Sequence, residues 1–259
     1  MWWRSEPSIR STVASLGAGC AAAALLAGCQ ITDGFSQDSG SATATASTAC
    51  DIDGAAPDSY RIKGKELVGD VDGDGNPDRV TLREDASAPA RCRHVLVVEL
   101  AGGNTIAAPV KPLSWPGTNP KLLLLAEIDG RDGVEAVITL SPANVFRPGA
   151  VFTLRQGDLA RMRVKGRYTP EIFPFYDEFP AGVDCTGEPG SIVLTLGDLA
   201  DGGTDDSHWD ITRAFYQAAD TRFEPVRREA FLVEVGPEAR QRWPEVRGRP
   251  FLSCPNRVD

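Results

Sequence analysis

From about residue 50 onward the chain is built of short apolar, β-rich runs separated by polar, Gly-containing breaks. Val95-Leu-Val-Val-Glu-Leu-Ala101 breaks at Gly102-Gly103-Asn104 into Thr105-Ile106, and Val151-Phe-Thr-Leu-Arg155 breaks at Gln156-Gly157-Asp158 into Leu159 to Val164. β-rich runs joined by tight Gly-bearing turns predict hairpins. Each hairpin follows two further runs, Leu67-Val68 with Val80-Thr-Leu82, and Leu122 to Leu125 with Val137-Ile-Thr-Leu140. A third stretch has the same look. Ile192-Val-Leu-Thr-Leu196 leads through Gly197-Asp198 into an acidic segment. Trp209 to Tyr216 then turns near Ala219-Asp220 into Phe223 and on to Ala230-Phe-Leu-Val-Glu234. Apart from a turn of helix at Pro237 to Trp243, no 3.6-residue period is sustained. The pattern predicts an all-β domain of three four-stranded antiparallel meanders. Each would run strand, acidic loop, strand, strand, tight turn, strand.

The break inside the first unit carries the chemistry. In Gly69-Asp-Val-Asp-Gly-Asp-Gly-Asn-Pro-Asp-Arg-Val80, Asp70, Asp72, Asp74 and Asp78 fall at positions 1, 3, 5 and 9 of one tight loop, with Asn76 at position 7. Gly73 and Gly75 let the backbone curl. Four carboxylates this close repel one another unless a cation sits among them, and Ca²⁺ takes about 6–8 oxygen ligands at short range. The spacing is near that of an EF-hand loop, but position 12 is Thr81 rather than Glu and the flanks are strands. A weaker copy, Ala126-Glu-Ile-Asp-Gly-Arg-Asp-Gly-Val-Glu-Ala-Val137, follows at an offset of 57 residues.

Asp-x-Asp-x-Asp-Gly-x-x-Asp between two strands resembles the calcium loop of FG-GAP (VCBS-type) repeats, known from the β-propellers of integrin α-chains. The resemblance implies side-chain ligation of Ca²⁺ by Asp70, Asp72, Asp74 and Asp78, a carbonyl ligand at Asn76, and four-stranded propeller blades. It covers the first two units clearly and the third loosely. Three units fall short of the typical 4–8 blades, so the expectation is a partial or small propeller. In the second copy, position 5 is Arg131, and positions 1 and 9 are Glu127 and Glu135. A guanidinium there would take the cation's place and pair with both glutamates, so no calcium is expected in that loop. The third acidic segment, Asp198 to Asp210, does not keep the spacing.

The front of the chain is different. Arg4 and Arg10 precede a small-residue apolar run, Val13 to Gly28, too short for a stable spanning helix of about 20 apolar residues. Basic flank, apolar run and small-residue end together read as a secretory signal segment. Its end, Leu26-Ala27-Gly28-Cys29, resembles the lipobox of bacterial lipoproteins. That resemblance implies cleavage after residue 28, acylation of Cys29 (the palmitate-bearing N-terminus of the mature chain) and attachment to the extracytoplasmic face of a membrane. Several acyl chains anchor far more firmly than one. Residues 29–49, rich in Ser, Thr, Ala, Asp and Gly, cannot bury enough surface to offset their ordering entropy and predict a flexible linker. Residues 50–259 are left as one β-repeat domain.

The formal net charge is −9. Residues 1–28 carry Arg4, Arg10 and Glu6, so the remainder is near −10. An acidic surface argues against nucleic acid and against adsorption to anionic lipid, and suits cations. Of six cysteines, Cys20 leaves with the signal segment and Cys29 is the lipid site. Cys50, Cys92, Cys185 and Cys254 read as two disulfides in an exported domain, with three pairings open. Cys50–Cys92 with Cys185–Cys254 is favoured, because each would tie a terminal segment to its neighbouring unit. Zinc is a poorer fit, because no C-x-x-C appears and His94 and His208 are the only histidines.

No Gly-x-Ser-x-Gly elbow accompanies His208, whose acidic neighbours are Asp205, Asp206 and Asp210. His94 reads as structural, Phe173 to Pro180 as a loop covering a sheet edge or a binding rim, and Trp115 and Trp243 as loop anchors. The sequence therefore predicts a lipid-anchored, calcium-stabilised β-repeat module that binds or supports an envelope protein or glycan. An envelope hydrolase with an unrecognised active site is the alternative.

Overall fold

The computed structural model describes residues 50, 52, 58–111, 119–140, 149–165, 181–200, 205–234, 242–246 and 250–259. The lipobox with Cys29, the 29–49 linker, Trp115, the Phe173 to Pro180 segment and most of the Pro237 to Trp243 turn lie outside these residues. The domain is all-β. Strands β1 (Arg61–Gly69), β2 (Asp78–Glu84), β3 (His94–Glu99) and β4 (Thr105–Pro109) form one antiparallel meander in chain order. Strands β5 (Lys121–Ala126), β6 (Glu135–Thr139), β7 (Gly149–Arg155) and β8 (Asp158–Arg161) form a second. These two match the predicted units.

The third sheet departs from the prediction. It has five strands in the order β10 (Gly182–Cys185), β11 (Ser191–Ala200), β12 (Asp205–Ala219), β13 (Arg222–Glu234) and β9 (Arg163–Val164). The short first strand β10 was not foreseen, and β9 joins β13 in parallel. The acidic segment is not the counterpart of the Asp70–Asp78 loop. Asp198 pairs with Asp210 and Ala200 with Asp205 across one long hairpin, between the second and third strands rather than the first and second. The true counterpart is the turn Thr186 to Gly190 between β10 and β11.

The three sheets stack. Strand alternation gives each strand two faces, and two large apolar clusters occupy the two interfaces. Between the first and second sheets lie Val80, Leu82, Leu96 and Val98 against Leu125, Ala136, Ile138 and Phe152. Between the second and third lie Leu124, Val137, Val151 and Met162 against Val183, Ile192, Leu194 and Phe223. The middle sheet is thus covered on both faces, which is why Glu135–Thr139 is buried at every position. Each fully buried Leu, Ile, Val or Phe contributes about 1.5–3 kcal/mol.

The two outer faces are more polar. On the first sheet Tyr60, Val95 and Val97 make a small cluster beside Ile52, and the Tyr60 hydroxyl donates to the Cys92 carbonyl. On the third sheet Thr195 Oγ1 and Arg213 Nε both donate to Glu245 Oε1, at 2.7 Å each. Cys50 is joined to Cys92 and Cys185 to Cys254, the pairing favoured above. Disulfides of this kind belong to an oxidising compartment. Among the described residues, no helix is long and apolar enough to cross a membrane.

Candidate metal centre

The turns between the first and second strands of each sheet lie side by side. The Val134 amide donates to the Asp70 carbonyl at 2.8 Å, coupling the first loop to the second. A Cβ on Gly133 would fall 2.7 Å from the Val71 oxygen, and one on Gly130 would fall 2.3 Å from the Gly190 nitrogen. The loops touch backbone to backbone, and glycine is what permits it.

In the first loop Asp70, Asp72 and Asp78 each place a carboxylate oxygen within 4.8 Å of the others. Asp78 opens β2 on the same face as Val80 and Leu82, and is fully buried. Its Oδ2 accepts from the Val71 amide (2.7 Å) and its Oδ1 from the Ala101 amide (2.9 Å). These bonds hold the loop shut across its base and tie it to the β3–β4 turn. Asp70 accepts from Gly73 (2.8 Å) and Asp74 (3.1 Å) at Oδ1 and from Gly75 (2.9 Å) at Oδ2. The left-handed Gly73 and Gly75 (φ 77° and 85°) aim those amides inward. Partial desolvation raises the Asp72 carboxyl above its ordinary range. A bond from the Asp74 amide opposes this, and the charges of Asp78, Asp74 and Asp70 add to it. Crowding of like charge is what a hard cation relieves.

Of the four carboxylates expected as ligands, three therefore converge. Asp74 turns its Oδ1 to the Asn76 amide at 2.7 Å and does not join the convergent group.

The second loop is filled in a way the sequence reading did not foresee. Arg131 does not bridge Glu127 and Glu135. Its guanidinium is half exposed and lies 3.9 Å from Asp220 in the β12–β13 turn. Glu127 accepts from Asn256 at 3.2 Å. The internal cation is Arg155, at the end of β7, whose Nη2 contacts the buried Asp129 Oδ2. Thr153 Oγ1 lies 3.1 Å from both Asp129 and Glu135. Glu135 Oε2 accepts from the Ile128 (2.7 Å) and Asp129 (3.1 Å) amides, just as Asp78 accepts from Val71. Burial pushes Glu135 up to about 7, against the lowering effect of its hydrogen bonds. Desolvation likewise lowers Arg155, opposed by the charge of Asp220. The signal for Arg155 was strand alternation: Thr153 and Arg155 share a face with the core residue Val151.

His94 is buried, with Nε2 2.9 Å from Lys63 Nζ and 3.2 Å from Glu84 Oε1. Burial first, and then the Lys63 charge, hold it below the ordinary histidine range. His208 lies on β12 opposite Glu234, at the end of the sheet away from the stacked loops. Trp243 is buried with Ile211 and Val246. Compared with known families, curated proteins and solved structures, the chain gives no match.

Proposed function

We propose that the chain is an exported lipoprotein, acylated at Cys29, that displays a calcium-stabilised β-repeat module on the extracytoplasmic face of a membrane, where it binds or supports an envelope protein or glycan. The observation that carries the calcium reading is the convergence of Asp70, Asp72 and Asp78 on one 4.8 Å group. In the second loop, the buried Asp129 is met by the Arg155 guanidinium instead. One loop carries its cation covalently, and the other offers carboxylates to a cation from solution. The donor set, all oxygen, suits a hard divalent ion. The signal-like front, the linker-like 29–49 segment and the two disulfides support export.

The role for calcium is structural. A bound ion would fix the loop against its neighbour through Val134 and Asp70, and so hold the first sheet on the second. Titrating calcium into the full chain in detergent micelles tests this, beside an Asp72→Ala, Asp74→Ala variant. Near one ion per chain is expected. The melting temperature should rise by several degrees with calcium, since an ion at a hundred times its Kd adds about 2.7 kcal/mol. Both effects should vanish in the variant. Identical melting in chelator and in calcium would remove the reading.

A further inference from the structure

Strand β13 is paired along one side for its whole length and along the other for very little. Strand β9 covers only Arg222 and Phe223, and among the described residues no other strand joins β13 on that side. The direction of its peptide groups follows from the register. The Ala218 amide donates to the Gly190 carbonyl at the head of β11. In an antiparallel ladder bonding alternates residue by residue, so the even-numbered residues of β12 bond toward β11 and the odd ones toward β13. Phe215, Arg213, Ile211 and Trp209 stand opposite Arg227, Glu229, Phe231 and Val233. Those four commit their peptide groups to β12. Arg228, Ala230, Leu232 and Glu234 therefore aim theirs outward, along the open edge.

An open edge is a template for another strand, and proteins usually blunt it with proline, a bulge or charge. β13 is blunted over its first half only. Pro225, the register shift beside Val226 and the run Arg227-Arg228-Glu229 guard that half. Ala230-Phe-Leu-Val233 follows without a charge, and Glu234 closes it. Val226 and Leu232, both on this strand, are 65% exposed, more than any other large apolar side chain described. On the opposite face Phe231 and Val233 pack half-buried against Ile211 and Trp243.

We infer that a second copy of this chain pairs with this edge, β13 to β13, antiparallel about a two-fold axis at Phe231. The charges select both the occupant and the register. Arg228 and Glu234 lie equally far to either side of Phe231, so the axis sets Arg228 opposite Glu234 of the partner subunit, and does so twice. Opposite charges facing across strands are favourable. Leu232 comes opposite Ala230 of the partner subunit, which covers the exposed leucine. Phe231 meets Phe231 of the partner subunit as a non-hydrogen-bonded pair, where side chains lie closest. Other registers lose this match. An axis at Ala230 would set Arg228 against a leucine, and one at Glu229 would set Glu224 against Glu234. The pairing is isologous and closed, so it ends at two chains. Its area falls in the small class, below about 1,200 Å², so the dimer is reversible.

Sedimentation equilibrium of the full chain in density-matched detergent tests this, over a concentration series with chelator present. Chelator keeps the calcium reading out of the result, and either can fail without the other. A monomer–dimer equilibrium is expected. Leu232→Lys, at an exposed position that leaves the core untouched, should weaken it at least tenfold. Glu234→Arg, which sets arginines opposite each other, should weaken it similarly, and adding Arg228→Glu to it should restore most of the loss. A merely structural effect of either substitution would not be reversed by the other. Mild oxidation checks the register. An Ala230→Cys chain mixed with a Leu232→Cys chain should form a disulfide-linked dimer in far higher yield than either chain alone, since only the mixed pair lies directly opposite. A monomer at every concentration, which would leave the edge to a different protein, overturns the inference. So does a dimer that the variants leave unchanged, as chains merely sharing a micelle would be, and so does equal crosslinking of the mixed and single chains.

Discussion

Glu135 and Asp78 stand at equivalent positions, each closing its loop with a carboxylate oxygen that accepts from the amide seven residues earlier. Their surroundings part them. Asp78 faces an acidic loop, whereas Glu135 sits among Thr153, Asp129 and the Arg155 guanidinium that Asp129 already engages. Burial without a cation of its own raises Glu135 to about 7 from an ordinary value of 4.5. An acid whose folded pKa is raised adds stability that is fully present below the unfolded value and is lost as pH climbs through the folded one. Stability should therefore fall between about pH 4.5 and 7.5, by up to about 3 kcal/mol. Urea unfolding in chelator at pH 5 and pH 8 measures this. Glu135→Gln, which keeps the acceptor for Ile128 and Asp129, should flatten most of the slope. Some will remain, because burial also raises Asp184, against the Ser253 amide and hydroxyl that bond to it. At this scale the sequence disclosed the carboxylates but misplaced their partner. Arg131 is nearer in sequence, yet Arg155 is the arginine brought inward, because pairing of β6 with β7 is a tertiary fact that spacing within the loop does not encode.

Turns decide how the elements meet. Gln156-Gly157, with left-handed φ values of 51° and 87°, and Asp220, at 58°, lie where the residue types had marked hairpins, because few residues accept that conformation. The two meanders were legible for the same reason. β10 was not, since a four-residue strand gives too short a period to read, and the acid-rich Asp198 to Asp210 segment drew attention to the wrong hairpin. Contact between loops was also hidden, although its glycines were visible. Gly130 (φ 75°) would place a Cβ 2.3 Å from the Gly190 nitrogen, whereas Gly157 (φ 87°) would meet nothing within 4 Å. Alanine at Gly157 should cost only the left-handed strain, about 1–2 kcal/mol. Alanine at Gly130 adds a backbone clash that forces the second and third loops apart, and should cost at least about 2 kcal/mol more. Thermal melts of the two variants separate strain from contact. Equal losses would mean the loops do not pack as closely as described.

A stack of sheets has two end faces that no further sheet covers, and in repeat arrays such ends need polar, capped surfaces. Here each cap is stapled. Cys50–Cys92 holds the chain entering the first sheet, and Cys185–Cys254 holds the chain leaving the third. The second staple reaches further. The tail it secures runs back along β5, with Leu125 and Val258 exchanging two 2.8 Å bonds and the Glu127 amide donating to Pro255. Phe251, fully buried, fills the core between the second and third sheets. The last residues thus bind the middle sheet to the third, which no feature of the local sequence announced beyond an even number of cysteines. Replacing Cys185 and Cys254 by alanine reopens a loop of 69 residues, and in the chain-entropy account should cost about 4 kcal/mol. The location of the loss is the sharper test. Hydrogen exchange should quicken at Leu125 and Glu127, whose amides the tail accepts, while Val134, bonded to Asp70 within the loop stack, keeps its protection. If all three amides exchanged together, the tail would be part of one cooperative unit with the loops, and the staple would guard the whole stack rather than its end.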